Sequence, residues 1–104
     1  MDLKVNQEYT CIMPALLPHE FKALKESIQK YGLHEAIVAN REGVVLDGYN
    51  RLRICNELGI MPKVETRKFS SKQEEILYIV TVHLRRRHLT DFQRAEIATK
   101  YLLP

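Results

Sequence analysis

Cysteine is scarce in this chain, and long apolar runs and low-complexity stretches do not occur. Cys11 and Cys55 are the only two cysteines among 104 residues, and their spacing is not that of a metal site. A disulfide-rich scaffold and a zinc finger are therefore poor interpretations. No run approaches the roughly 18 apolar residues that a membrane helix needs. Residues 1–4 lack the basic and then apolar layout of a signal peptide. We therefore expect no membrane partner and a cytoplasmic location, with which two cysteines agree.

The composition is that of one folded domain with an uneven distribution of charge. Hydrophobic residues make up 45% of the chain and charged residues 28%, which is ordinary for a globular protein. Residues 1–50 carry five Lys and Arg against seven Asp and Glu, whereas residues 51–104 carry eleven against six. The basic second half favours a phosphate-rich partner, either a nucleotide or a nucleic acid. A solvated basic face explains the same charge equally well.

Hydrophobic spacing and turn residues predict an α+β fold. We predict strands at 8–13, 33–39, 44–46 and 63–69, and helices at 18–31, 49–58 and 72–86. Ser71 with Glu74, and Thr90 with Gln93, form capping-box patterns that begin the last two helices. The order predicts a small mixed β-sheet with packed helices against it. Because the last helix ends where the chain ends, we also expect a fragment of something longer.

The strongest local motif is a buried strand followed at once by Asp47, Gly48 and a helix. Glycine allows close backbone approach, and the free N–H groups at a helix start attract anions. Arg51, in the first turn, has a guanidinium that can donate two parallel hydrogen bonds to phosphate. The motif therefore predicts a phosphate site. The alternative is an ordinary strand-to-helix turn, with Asp47 as N-cap and Arg51 on a solvated face.

A basic cluster, 83–88, lies at the junction of the last two helices. Its three adjacent arginines cannot share one helix face, which favours a phosphate clamp or a contact with a nucleic-acid backbone. Arginine near a helix C-terminus is also favourable without any ligand, through the helix dipole. No aromatic residues are interleaved here, so base stacking is not indicated.

Together these segments resemble the ParB/sulfiredoxin superfamily, and most closely the ParB-like N-terminal domain of partition proteins. The resemblance covers nearly the whole chain. Segments 18–28 and 31–38 resemble the opening helix and the following glycine-to-strand segment. Segment 45–53 resembles the D-G-x-x-R-x-R box, and 84–90 the second box, which closes over a nucleotide. Segment 91–98 resembles the helix that leads into a helix-turn-helix region. The resemblance thus implies a nucleotide-binding domain at 1–89 and the truncated start of a DNA-binding helical region at 90–104.

The resemblance implies a function as the CTP-binding module of a DNA-partition or DNA-binding regulatory protein. Such proteins bind CTP with Mg²⁺, hydrolyse it slowly, and close as a homodimer on DNA. The implied phosphate-binding residues are Asp47, Gly48, Tyr49, Asn50, Arg51, Arg85, Arg86 and Arg87. The family's second box usually begins with Glu-Asn, which supplies metal-binding oxygens. Val82 and His83 stand there instead, and histidine is a poor magnesium ligand, so His83 is only a weak metal candidate.

Other branches of the superfamily imply other functions. Sulfiredoxins carry a nucleophilic cysteine directly after the first-box glycine, where this chain has Tyr49, so we exclude that activity. A branch that phosphorylates free serine with ATP or ADP uses the first-box aspartate and a carboxylate base. Its catalytic residues would be Asp47 with Glu35 or Glu20, although Glu20 equally suits a first helical turn. A third possibility, favoured by Val82 and His83, is an interaction or dimerisation module without nucleotide.

Overall fold

The computed structural model describes residues 2–12, 15–85 and 91–102. The elements in these ranges are α1 (Gln7–Thr10), α2 (Pro18–Tyr31), β1 (Ile37–Ala39), β2 (Val45–Asp47), α3 (Tyr49–Leu58), β3 (Val64–Thr66), α4 (Lys72–Leu84), α5 (Asp91–Ile97) and the π-helical α6 (Ala98–Leu102). The predicted α+β class, a small mixed sheet with packed helices, is confirmed.

The sheet has the strand order β2-β1-β3. β1 pairs antiparallel with β2, with Val38 opposite Asp47, and parallel with β3, with Ile37 opposite Val64. All residues of the central strand β1 are buried, whereas all residues of the edge strand β3 are exposed. The hairpin places the end of β2, and with it Asp47, at the start of α3.

Apolar side chains pack on both faces of this sheet. On one face, α2 and α3 contact each other through a cluster of buried residues: Ile28, Leu33, Ile54 and Cys55. A second cluster joins α1, β2, α4 and α5 through Tyr9, Ile12, Leu46, Ile79, Val80 and Ile97. Adjacent residues of β2 take part in different clusters, Leu46 in this one and Val45 in a third one with Ile37 and Leu52. This alternation is what a strand between two layers requires.

The helix boundaries follow from particular residues. Pro18 begins α2, and the N–H of the preceding Leu17 donates to Glu20 Oε1 at 2.9 Å. Gly59 ends α3 at φ 69°, a left-handed conformation that glycine adopts without steric cost. Ser71 begins α4, where its Oγ accepts the N–H of Glu74 at 3.1 Å.

The strand predicted at 8–13 is wrong, because Gln7–Thr10 form the short helix α1. Asn6 caps this helix by accepting the N–H of Glu8 at 2.9 Å, and Tyr9 is buried against the core. The strands predicted at 33–39 and 63–69 are shorter, Ile37–Ala39 and Val64–Thr66, whereas the strand predicted at 44–46 keeps its length of three residues and begins one residue later, at Val45. α4 ends at Leu84, and the predicted helix from Thr90 is described from Asp91 onward. The predicted boundary between 1–89 and 90–104 stays a prediction.

Candidate functional site

A cleft of about 1150 Å³ lies between α1, α2 and the first turn of α3. Small-molecule sites in proteins have volumes of about 300–1,000 Å³, so the cleft is large enough for a nucleotide-sized molecule. Its walls include apolar residues of α2, such as Phe21 and Leu24, and polar residues around the start of α3. His83 lines the cleft from α4.

Gly48 is the N-cap of α3 and has a left-handed backbone, with φ 100° and ψ 23°. A Cβ atom at this position would meet Arg51 Nη2 at 3.0 Å and Ile37 Cγ1 at 3.1 Å. The positive φ therefore favours glycine here, and any side chain would press against Arg51 and Ile37. Among the described residues, no side chain caps the start of α3 by a hydrogen bond. The helix thus presents its first N–H groups next to the cleft.

Arg51 is buried, with only 7% of the residue exposed, and its guanidinium folds back against Gly48. Its Nη2 lies 3.2 Å from Asp47 Oδ2, and its Nη1 donates to the carboxylate of Glu35. Within the described part of the chain, Nε and Nη2 have no hydrogen-bond acceptor, because the contact with Asp47 has the distance of an ion pair without hydrogen-bond geometry. The guanidinium is therefore held by two carboxylates and one hydrogen bond, while its buried Nε and Nη2 lack an acceptor among the described residues.

These contacts overturn the interpretation of the motif as an ordinary turn with a solvated arginine. Arg51 is not on a solvated face, and the N-cap is Gly48 rather than Asp47. Asp47 is buried beside the guanidinium, with 10% of its side chain exposed. Its observed role is to hold Arg51.

The structure brings most of the sequence-predicted residues of the first box to one place. Seven of the predicted site residues line the cleft: Glu20, Glu35, Gly48, Tyr49, Asn50, Arg51 and His83. Asp47 does not line the cleft but contacts it indirectly, through its ion pair with Arg51. Glu20 takes part in the first turn of α2 by accepting the Leu17 N–H. This contact is the first-turn role that its position in the sequence allowed.

The second predicted box is described only in part. Arg85 is the exposed C-cap of α4 and is not among the residues that line the cleft. Arg86 and Arg87 lie outside the described residues. No group of three or more His, Cys, Asp or Glu that could hold a metal ion is found in 2–12, 15–85 and 91–102. A metal at His83 therefore stays a prediction.

Sequence reasoning assigned no role to Arg53, which the structure places at the cleft between two aromatic rings. Its guanidinium carbon lies 4.7 Å from the ring centroid of Phe21 and 5.8 Å from that of Tyr49. Such contacts are typical of cation–π pairs. The signal was present in the R-x-R spacing of the first box. Phe21, however, comes from another helix and could not be paired with it by spacing.

Burial makes two further groups near the cleft chemically quiet. Burial raises the pKa of the Cys55 thiol, and the nearby Arg51 charge only partly opposes this. Burial and a hydrogen bond to Glu75 raise the pKa of Tyr9 above its usual value, so its hydroxyl stays a donor. Neither group is poised as a nucleophile.

Comparisons with known proteins place this geometry in context. No family model matches the chain. The uncharacterized protein ORF326b of Acidianus two-tailed virus is 35% identical over 102 residues, which cover 97% of this chain and 31% of that protein. In the part of the chain that the structure describes, no helix is long and apolar enough to cross a membrane.

Two solved structures share the fold. The C2221 form of a Pnob8-like ParB-N domain matches with a TM-score of 0.82 and 28% identity, over 95% of this chain and 40% of that one. A pNOB8-like ParB N-domain matches with a TM-score of 0.83 and 25% identity, over 95% of this chain and 37% of that one. The chain thus spans about a third of the viral protein and about two fifths of the solved ParB chains. The chain therefore has the fold of the ParB-like N-terminal domain.

Proposed function

We propose that the cleft binds the phosphate groups of a nucleotide, and that the chain is the nucleotide-binding module of a partition-type protein. CTP is the first candidate, because the ParB-like fold and the first box agree with a CTP site. The module would act as a homodimer, and DNA would be bound through the region from 90 onward. Arg85, Arg86 and Arg87 would complete the phosphate contacts from the second box.

The observation that carries this proposal is the buried guanidinium of Arg51 with N–H groups left without acceptors. A buried donor without a partner costs about 1–3 kcal/mol. Once the Arg51 side chain turns toward the cleft, phosphate oxygens at the start of α3 would supply the acceptors that the buried Nε and Nη2 lack, and the helix N–H groups from Gly48 onward would add their own hydrogen bonds. The buried guanidinium should therefore have a lower free energy with an anion bound than without one.

Magnesium is proposed only as a companion of the phosphates. The described carboxylates nearest the site, Asp47 and Glu35, already face Arg51. Magnesium in nucleotide sites is commonly held by one or two carboxylates, the phosphates and water. Among the described residues, no group of three or more His, Cys, Asp or Glu could hold the ion without phosphates. We therefore assign no step to the metal.

The first test is calorimetric titration of the chain with CTP, ATP, ADP and GTP, each with and without magnesium. We expect one nucleotide to bind, and Arg51→Ala to weaken its binding by about 30-fold or more, since charged hydrogen bonds to a buried partner contribute about 2–5 kcal/mol. Arg41→Ala is the matched control, because Arg41 is an exposed turn residue that does not line the cleft. Equal affinity in all three proteins would overturn the site.

Arg51→Ala leaves Asp47 buried without its counter-charge, which costs about 3–5 kcal/mol of stability. Two further measurements keep the test decisive if this variant does not fold. The double change Asp47→Asn with Arg51→Met removes both buried charges together. In the unaltered chain, titration followed by amide NMR should move the signals of Gly48, Asn50 and Arg51 most. Shifts confined to other parts of the chain would contradict the proposal.

A small-molecule kinase of the same fold is the second candidate, and one observation favours it. Glu35 lines the cleft with 74% of its side chain exposed, which suits a base that must reach a substrate hydroxyl. This function requires ADP formation from ATP, or AMP from ADP, that depends on added free serine and is lost in Glu35→Gln. The absence of serine-dependent turnover would exclude the kinase function. No binding of any nucleotide would instead favour an interaction or dimerisation module.

A further inference from the structure

The two carboxylates that hold Arg51 differ sharply in their surroundings. Asp47 is buried, whereas 74% of the Glu35 side chain is exposed. Asp47 precedes α3 within the same tight turn, whereas Glu35 lies in the segment between α2 and β1. Asp47 can therefore leave the guanidinium only by exchanging places with core atoms. Glu35 can leave it by rotating into water, where a carboxylate is well solvated.

Electrostatic repulsion favours the separation of Glu35 from Arg51 when an anion binds. One guanidinium faces two carboxylates, so the three groups together carry one net negative charge when both acids are ionised. A phosphate group would be repelled by this arrangement. Once Glu35 has rotated away, Arg51 and Asp47 form a neutral pair beside the positive end of α3. An anion then meets a favourable field.

The position of Glu35 also favours its displacement by an anion. Glu35 occupies Nη1 of the guanidinium, and both residues line the cleft. A phosphate bound across Gly48 and Arg51 would compete with Glu35 for Nη1, the guanidinium nitrogen that donates to Glu35. The carboxylate thus stands where a ligand oxygen would be expected.

We propose that Glu35 is a built-in competitor for the phosphate site, which holds Arg51 in the empty cleft and is displaced when a phosphate group binds. This inference rests on the proposed phosphate site. It assigns Glu35 a role in setting affinity, separate from the role of a catalytic base. Removing its charge should strengthen phosphate binding, whereas removing a residue that contacts the bound phosphate should weaken it.

The test is the affinity of Glu35→Gln for inorganic pyrophosphate, tripolyphosphate and CTP, measured by calorimetry beside the unaltered chain. We expect binding to be about three- to tenfold tighter, the range for losing one partly exposed charged contact. The matched control is Glu26→Gln, an exposed residue of α2 that does not line the cleft and that changes the net charge equally. Its affinity should stay within about twofold, since distant surface charges are screened by salt.

The outcomes separate this proposal from the one on which it rests. If the unaltered chain binds phosphate compounds and Glu35→Gln binds them equally or more weakly, the competitor role is wrong while the phosphate site stands. If Glu26→Gln gains as much as Glu35→Gln, the effect is one of overall charge, and the competitor role is again wrong. If neither the unaltered chain nor Glu35→Gln binds any of the three compounds, both proposals fail.

Discussion

Gly48 and Arg51 depend on each other through direct atomic contact. The guanidinium lies where a side chain at position 48 would begin, because a Cβ atom there would be 3.0 Å from Nη2 and 3.2 Å from Nε. A side chain at position 48 would therefore press on the guanidinium where it meets Asp47. The glycine of the motif thus contributes to the buried ion pair as well as to the turn.

Gly48→Ala tests this dependence, with Gly59→Ala as a matched control. Both glycines have positive φ angles, 100° and 69°, so both substitutions carry a backbone cost of about 1–2 kcal/mol. Nothing lies within 4 Å of a Cβ at Gly59, whereas a Cβ at Gly48 meets Arg51 and Ile37. We expect Gly48→Ala to lose roughly 1–3 kcal/mol more in urea unfolding. Equal losses would show that the space at Gly48 is not needed.

At the scale of elements, two side chains make hydrogen bonds at the start of α4. Ser71 Oγ accepts the N–H of Glu74, as the capping-box pattern predicted. The carboxylate of Glu74 returns to Ser70 instead of Ser71, accepting its N–H at 3.0 Å and its hydroxyl. These hydrogen bonds lower the pKa of Glu74 below its ordinary value of 4.5. The negative charge also lies at the favourable end of the helix dipole.

The lowered pKa of Glu74 predicts a pH-dependent contribution to stability. Since the folded pKa lies below the unfolded one, the contribution is fully present above pH 4.5 and is lost as pH falls through the folded pKa. Glu74→Gln should therefore unfold at a lower temperature than the unaltered chain at pH 7, and the difference should shrink in acid. Thermal unfolding followed by circular dichroism between pH 7 and pH 2 measures this. Glu26→Gln serves as the control for the loss of one surface charge. If the unfolding temperatures of Glu74→Gln and the unaltered chain differ as much at pH 2 as at pH 7, relative to this control, the prediction is contradicted.

At the scale of the whole molecule, a hydrogen-bond network joins elements that are distant in sequence. Glu75 on α4 accepts the Tyr9 hydroxyl of α1 at 2.6 Å and the Asn40 side-chain amide at 2.7 Å. Asn40 in turn accepts the N–H groups of Glu42 and Val44 and so shapes the turn between β1 and β2. The carboxylate of Glu75 thus links α4 with α1 and with the hairpin that carries Asp47.

Tyr9→Phe should lower the free energy of unfolding by about 1–2 kcal/mol, because Glu75 loses a donor in a partly buried place. Tyr31→Phe is the control, since 62% of Tyr31 is exposed, and it should change stability by less than about 0.5 kcal/mol. Urea unfolding of the three proteins measures both values. A loss as small for Tyr9→Phe as for Tyr31→Phe would mean that the network does not stabilise the fold.

The sequence was sufficient for features whose causes are local. The helices α2, α3 and α4 follow from apolar spacing and from Pro18, Gly59 and Ser71 at their ends. The helix α1 was missed because its four residues are too few to show a period. The lengths of β1 and β3 were overestimated because a strand extends only as far as its partner allows, and these two partners are distant in sequence.

The same division holds for the site. The first box predicted that Gly48 and Arg51 lie together at the start of a helix, since four consecutive positions suffice for this. The burial of Arg51 and its contact with Glu35 could not be predicted, because they depend on how the segment before β1 packs against α3. The assignment of phosphate contacts to Arg86 and Arg87 stays a prediction.

The strand order β2-β1-β3 also has a consequence for the sequence of events in folding. Ala39 and Val45 are partners across a single turn, so the antiparallel pair can close early with little loss of chain entropy. Ile37 and Val64 are partners across β2 and α3, so the parallel pair must close a much longer loop. We therefore expect the hairpin that ends in Asp47 to form before β3 joins the sheet. The turn at Asp47 and Gly48 would then take shape while the far edge of the sheet is still open.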